Sequence, residues 1–229
     1  MTAPLSIEEA QRLQAELASR VRREGDPRPV RTVAGIDVAY SPETGCSYAA
    51  IAVMALPDLT PVEHATACLP TTFPYVPGLF SFRELPPVLE AYRQLIRPPD
   101  LLLVDGQGFA HPRRCGLACH LGLTVDRPAI GVAKTRLCGE HAAPGPHRGD
   151  FALLVDQGEE VGMALRTQDG GAPLYVSTGH RVALAVCREL VLACTPRYRL
   201  SEPLRAADHL TRRGRAAALA AHRGRLLAR

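Results

Sequence analysis

Lysine is almost absent from this chain: of its 27 basic residues, one is lysine, at position 134, and the rest are arginine. With abundant alanine and proline, that bias reads as genomic base composition rather than as function. Long apolar runs are missing too. None approaches the ~20 residues that a membrane-spanning helix needs, so no membrane role is expected. Met1–Glu9 shows neither a basic n-region nor an apolar core, so no signal peptide is expected and the cytoplasm is the expected location. The seven cysteines (46, 68, 115, 119, 138, 187 and 194) are odd in number and form no Cys-x-x-Cys pair. In a reducing compartment they read as small buried hydrophobes. Cys115, Cys119 and His120 show half of a zinc spacing without its partner pair, so zinc is not expected. A net charge of +4 permits nucleic-acid binding without demanding it.

What is present is enough apolar material, 46% of 229 residues, to fill a core. There is no internal repeat and no long linker. The expectation is one domain over 1–210 and a basic C-terminal tail over 211–229, either a frayed amphipathic helix or disorder. Ser6 and Glu9 form a capping box, and Ile7, Ala10, Leu13, Leu17 and Val21 make one apolar face, ending at Pro27 and Pro29. Strands are expected over 31–40, 48–56 and 63–69, joined by short turns as an antiparallel meander. A helix over 85–96 starts with Pro86 and Pro87 and leads to a fourth strand over 101–104. That crossover lets strand four run parallel to strand one. A helix over 113–123, a strand over 129–133, a hairpin over 151–166, a strand over 173–177 and helices over 182–194 and 201–211 follow. The fold class is α/β. Three antiparallel strands, a helix, then parallel strands flanked by helices is the ribonuclease-H-like arrangement.

Leu101–Val104 ends on Asp105, followed by Gly106, Gln107 and Gly108. A carboxylate at the mouth of a buried strand is poorly placed for packing, because burying it unpaired is costly. If strands one and four are neighbours, Asp37 and Asp105 project from adjacent positions and Glu84 leans over them. Three clustered carboxylates repel unless a cation neutralises them. Hard oxygen ligands suit magnesium or manganese, and such a site activates water for in-line attack on a phosphodiester. Taken singly, each acid has a structural reading: Asp37 as a surface strand residue, Glu84 as a helix-start charge favoured by the dipole, Asp105 as a turn residue.

Five segments together resemble the endonuclease V family, in order: Val33–Tyr40 (VAGIDVAY), Pro74–Pro86 (PYVPGLFSFRELP), Pro99–Gly122, Ile130–Gly139 (IGVAKTRLCG) and Tyr175–Arg181 (YVSTGHR). With Pro196–Asp208 the likeness spans most of the chain. The resemblance implies a metal-dependent endonuclease that recognises deoxyinosine in DNA and hydrolyses a phosphodiester on its 3′ side, initiating repair. By the same resemblance Asp37, Glu84 and Asp105 match the metal-binding carboxylates, with Mg2+ expected and Mn2+ as substitute. Asp208 falls where the family has a further group near the metal, although His209 competes for that match. Lys134 matches the lysine facing the scissile phosphate.

Pro74, Tyr75, Val76 and Pro77 resemble the strand-separating wedge, and Gly106, Gly108, Gly116 and Leu137 match the lesion pocket. Gln107 departs from the small or hydrogen-bonding residue, such as His or Asn, expected there; its amide can still donate and accept. His111 and Arg113 are candidate phosphate contacts. The expected partner is damaged DNA, bound by a monomer. The same chemistry on inosine-containing RNA or single strands stays open, as does a non-catalytic nucleic-acid-binding protein.

Overall fold

The computed structural model describes residues 5–227, with side chains through residue 223. Eight strands form one sheet: β1 (Thr32–Ser41), β2 (Cys46–Ala55), β3 (Thr60–Pro70), β4 (Leu101–Val104), β5 (Ala129–Ala133), β6 (Phe151–Asp156), β7 (Glu159–Leu165) and β8 (Leu174–His180). Their spatial order is β3-β2-β1-β4-β5-β8-β7-β6. The β1–β2–β3 meander is antiparallel, β1–β4 and β4–β5 are parallel, and β8, β7 and β6 continue antiparallel. The expected mixed sheet, with β4 beside β1, is therefore what the chain forms.

Among the described residues five helices cover it: α1 (Ile7–Ser19), α2 (Phe80–Tyr92), α3 (Leu117–Val125), α4 (Leu184–Ala193) and α5 (Glu202–Leu227). Strand alternation sends alternate residues to opposite faces. Ala34, Ile36, Leu102 and Val104 meet Leu85 and Val88 of α2 and Leu117 and Leu121 of α3. Val33, Leu101 and Leu103 meet Val191 of α4 and Leu204 of α5 on the other face. Helices on both faces explain why β4 and β5 are apolar at every position. The Ser6–Glu9 capping box forms as expected, with each side chain bonding the other's backbone N–H. No described helix is long and apolar enough to cross a membrane.

Several boundaries differ from the sequence pattern, four of them at helix ends that bear on the site. Helix α1 stops at Ser19, before the prolines. Helix α2 begins at Phe80 rather than at residue 85, so Pro86 and Pro87 lie inside it. The reason is tertiary: Leu79 and Phe82 bury against Ala10 and Phe73, which starts the helix early. Glu84 consequently lies in the second turn, not at the start. Helix α3 begins at Leu117, because Arg114 takes a left-handed backbone angle (φ 56°) that ends any helix through it. Helix α5 runs on to Leu227, across the point where a tail was expected to begin. Its Thr211, Gly214 and Ala218 line a groove against Tyr48 and Cys68 of β2 and β3.

Candidate active site

Strands β1 and β4 pair in parallel through Ile36 and Val104. The next residue on each strand is an acid. Asp105 stays in register because its N–H donates to the Ile36 carbonyl at 2.9 Å. Asp37 and Asp105 are thus held side by side where β4 ends and β1 continues. Helix α5 crosses β1 there, and the Thr211 hydroxyl donates to Asp37 Oδ2 at 2.6 Å. One turn earlier on α5, Asp208 pairs with Arg212 at 3.1 Å. His209, the competing match, lines a different groove, over Met54 and Pro61. Lys134, directly after β5, places Nζ 2.5 Å from Asp105 Oδ2, with Asp105 12% exposed and Lys134 45%.

The charges feel one another. Burial, then the charges of Asp37 and Asp105, push the Glu84 carboxyl up to about 8. Burial raises Asp37 as well; the Thr211 hydrogen bond and Lys134 oppose the rise, and Asp105 and Asp208 add to it. Anions held together in a half-buried site favour whatever cation can neutralise them. The donors are all carboxylate oxygens, which fits a hard divalent ion. Among the described residues no three His, Cys, Asp or Glu side chains already stand together as a metal cage. Lys134 supplies part of the neutralisation by sitting on Asp105.

A cavity of about 410 Å³ opens beside this cluster, with Glu84, Asp105 and Lys134 in its wall. Gly106, Gly116 and Leu137, three of the expected pocket residues, line it together with Gln107. Gly108 does not. It lies buried beneath, its N–H donating to Ser177 Oγ at 3.0 Å and its carbonyl accepting from Gly116 at 2.9 Å. The Gln107 amide N–H donates to the Thr135 carbonyl at 2.9 Å, and its Oε1 is buried without a donor.

The loop Pro74–Pro77 stands at the edge of the same region. Its neighbours Phe73 and Leu79 are buried, whereas Tyr75 is 69% exposed with its ring 5.0 Å from that of Phe80. His111 and Arg113, expected to meet phosphate, both take internal hydrogen bonds, with His111 in the cavity wall and Arg113 half-buried. His111 is 3% exposed; Nε2 bonds the Gly78 carbonyl at 3.0 Å and Nδ1 accepts from the Arg113 N–H at 3.0 Å. Burial, then Arg113, drives the ring down to about 4, so it is neutral and has no free nitrogen. The Arg113 guanidinium donates through Nε to Gln14 and through Nη2 to the Gly78 carbonyl. Cys115 and Cys119 are buried thiols, and the His120 ring bonds Ser81 at 3.2 Å, so that half-motif is core.

Two residues escaped the sequence reading. Thr211, which holds Asp37, looked like the end of a helix. Gln14 is a polar residue on the apolar stripe of α1, three before Leu17, and that misplacement was its signal.

The sequence model of the endonuclease V family matches residues 15–209. An endonuclease V of Roseiflexus sp. (strain RS-1) is 50% identical over 212 residues, covering 93% of this chain and 95% of its own. The crystal structure of endonuclease V from Streptomyces avermitilis superposes with a TM-score of 0.90 at 46% identity, covering 94% of this chain and 96% of that one. An endonuclease V from Ciona intestinalis, solved with a 24mer DNA containing an inosine followed by a ribo-adenosine, superposes with a TM-score of 0.81 at 27% identity. It covers 93% of this chain and 98% of that one.

Proposed function

This chain belongs to the endonuclease V family, and from that premise we propose which residues perform its chemistry and on what substrate. It is a metal-dependent nuclease that recognises deoxyinosine in DNA and cuts 3′ to it, the first step of repair. The observation that carries the residue assignment is the shared wall. One cavity, sized for a ligand, is bounded by both the acid cluster and the pocket loops. A base extruded into it leaves its own backbone beside Glu84, Asp105 and Lys134.

Magnesium, with manganese as a substitute, would be held by Asp37, Asp105 and Glu84, with Asp208 alongside; it would supply Lewis-acid activation of water and neutralise the leaving oxygen. Thr211 orients Asp37 by donating to one oxygen and leaving the other free. Lys134 offers a compact cation beside Asp105, placed to offset charge that builds on the phosphate in the transition state. Tyr75, exposed between two prolines that stiffen its loop, enters the base stack and fills the gap left by the extruded base. Gly106, Gly116 and Leu137 receive that base. Extrusion costs a few kcal/mol, least for a poorly paired base such as hypoxanthine, which itself favours the lesion. Hydrolysis one nucleotide beyond the lesion leaves a 3′-hydroxyl and a 5′-phosphate. The protein works as a monomer in the cytoplasm.

The test uses two duplexes identical except for one deoxyinosine. A magnesium-dependent nick just 3′ of it, lost with EDTA, is the expected result; equal cutting of both duplexes removes the lesion pocket. The Ciona complex, with its ribo-adenosine after inosine, keeps RNA as a second reading. The 2′-hydroxyl separates the two, and matched deoxy and ribo strands measure which is cut faster.

A further inference from the structure

Helix α1 lies outside the sheet and contributes none of the acids. Its Gln14 is 1% exposed. Burying an amide is costly unless every polar atom finds a partner, and here all do. Nε2 donates to the Gly78 carbonyl at 3.0 Å and to the Cys115 carbonyl at 2.6 Å, and Oε1 accepts from Arg113 Nε at 2.5 Å. The three partners lie 64 to 101 residues away, on the two loops that flank the cavity.

The Gly78 carbonyl is the centre of this node. It accepts from Gln14, from His111 Nε2 at 3.0 Å and from Arg113 Nη2 at 2.9 Å. One of those donors is a full cation, which strengthens the set. Gly78 directly follows Pro77 and has a left-handed backbone (φ 78°); a Cβ there would press on Arg113 Nη2. The tyrosine loop is therefore free at its tip and clamped at its base. The clamp joins it to the segment from Gly106 to Gly116 that shapes the pocket.

We propose that Gln14 is a positioning residue: through the Gly78 carbonyl it sets the tyrosine loop at a fixed height over the base pocket, so that Tyr75 can push a duplex open without yielding. This rests on the strand-opening reading of Pro74–Pro77. The load falls on the loop only when there is a partner strand to separate. A single strand presents none.

That difference is the assay. Gln14→Met keeps the volume and removes all three hydrogen bonds. Its kcat/KM is measured on deoxyinosine in duplex and in single-stranded DNA, with Tyr75→Ala and the double variant beside it. The expected result is a duplex-to-single-strand ratio lowered by roughly tenfold or more, up to the roughly 10²-fold that a 1 Å misplacement can cost. The double variant should be no worse than Tyr75→Ala, because both act through one loop. Gln14→Glu, which keeps the Arg113 contact and loses both N–H donors, should show the same ratio; it stands in if Gln14→Met does not fold. Equal slowing on both substrates, or full additivity with Tyr75→Ala, overturns the proposal. If Tyr75→Ala itself leaves the ratio unchanged, the strand-opening reading fails and this proposal with it, while cutting at deoxyinosine stands.

Discussion

Gly35→Ala decides whether α5 is seated on β1 as tightly as the structure has it. Gly35 lies in β1, two residues before Asp37. A Cβ there would land on the carbonyl group of Pro203 and the nitrogen of Leu204, all backbone, at the start of α5. Backbone cannot rotate aside as a side chain can, so the helix must lift. Two effects oppose. Replacing glycine by alanine inside a strand gains roughly 0.5–1 kcal/mol by restricting the unfolded chain. Overpacking costs roughly 1–3 kcal/mol. The contact is with main chain and Leu204 is fully buried, so overpacking should win. For a chain of this size the melting temperature should fall by roughly 2–4 °C per kcal/mol.

Gly214, further along α5, is the control. A Cβ there meets nothing nearer than Tyr48 Cδ1 at 3.9 Å, so Gly214→Ala should stabilise by about 0.5–1 kcal/mol through helix propensity alone. The same substitution thus changes sign between two glycines. Lifting α5 also draws Thr211 away from Asp37, so Gly35→Ala should lose cleavage at temperatures where it remains folded. Thermal unfolding of both variants, read beside cleavage, makes the comparison. A Gly35→Ala protein melting at or above the wild type would refute the reasoning.

Three more outcomes follow from the site and the core. Asp105→Ala should abolish cleavage while binding to inosine-containing DNA survives; retained metal-dependent cutting would remove Asp105 from the site. Lys134→Met should lower the single-turnover rate by about 10²-fold, the scale of losing one preorganised charge donor, and Lys134→Arg should not restore it, because a planar guanidinium does not replace a compact ammonium. His111 and His120 are both driven down to about 4, by burial first. A histidine depressed in the folded state contributes stability above its unfolded pKa of 6.5 that is lost as pH falls toward 4, on the order of 3 kcal/mol per ring. The wild type should therefore lose more melting temperature between pH 7 and pH 5 than His120→Asn, which keeps a partner for Ser81; equal losses would show that the ring is not held neutral by burial.

Much of this protein is written in local pattern. The apolar run Leu101–Val104, bounded by Gly106 and Gly108, reads as a buried strand, with Asp105 at its mouth. The meander over residues 31 to 70 follows from alternation and short turns. Lys134 stands out in a chain that otherwise uses arginine throughout. These features depend on nearest neighbours along the chain, so the sequence alone determines them.

Other features depend on partners far along the chain, and only tertiary structure decided them. Residues 113–123 read as one helix, yet Arg113 and Arg114 are drawn off to Gly78 and to Asp156 and Glu159, and the helix waits until Leu117. His111, typed as a phosphate contact by its residue class, is a neutral ring in the cavity wall, bonded to the Gly78 carbonyl and to the Arg113 N–H. The alanine- and arginine-rich stretch after Thr211 has helix propensity but little to say about order; it continues α5 to Leu227, with Gly214 and Ala218 beside Tyr48 and Cys68 and most of its other described residues exposed. Propensity and periodicity report on one turn or one strand, whereas the placing of a buried amide such as Gln14 is set by hydrogen bonds that span up to 101 residues. No local pattern encodes that distance, and the folded sheet supplies it.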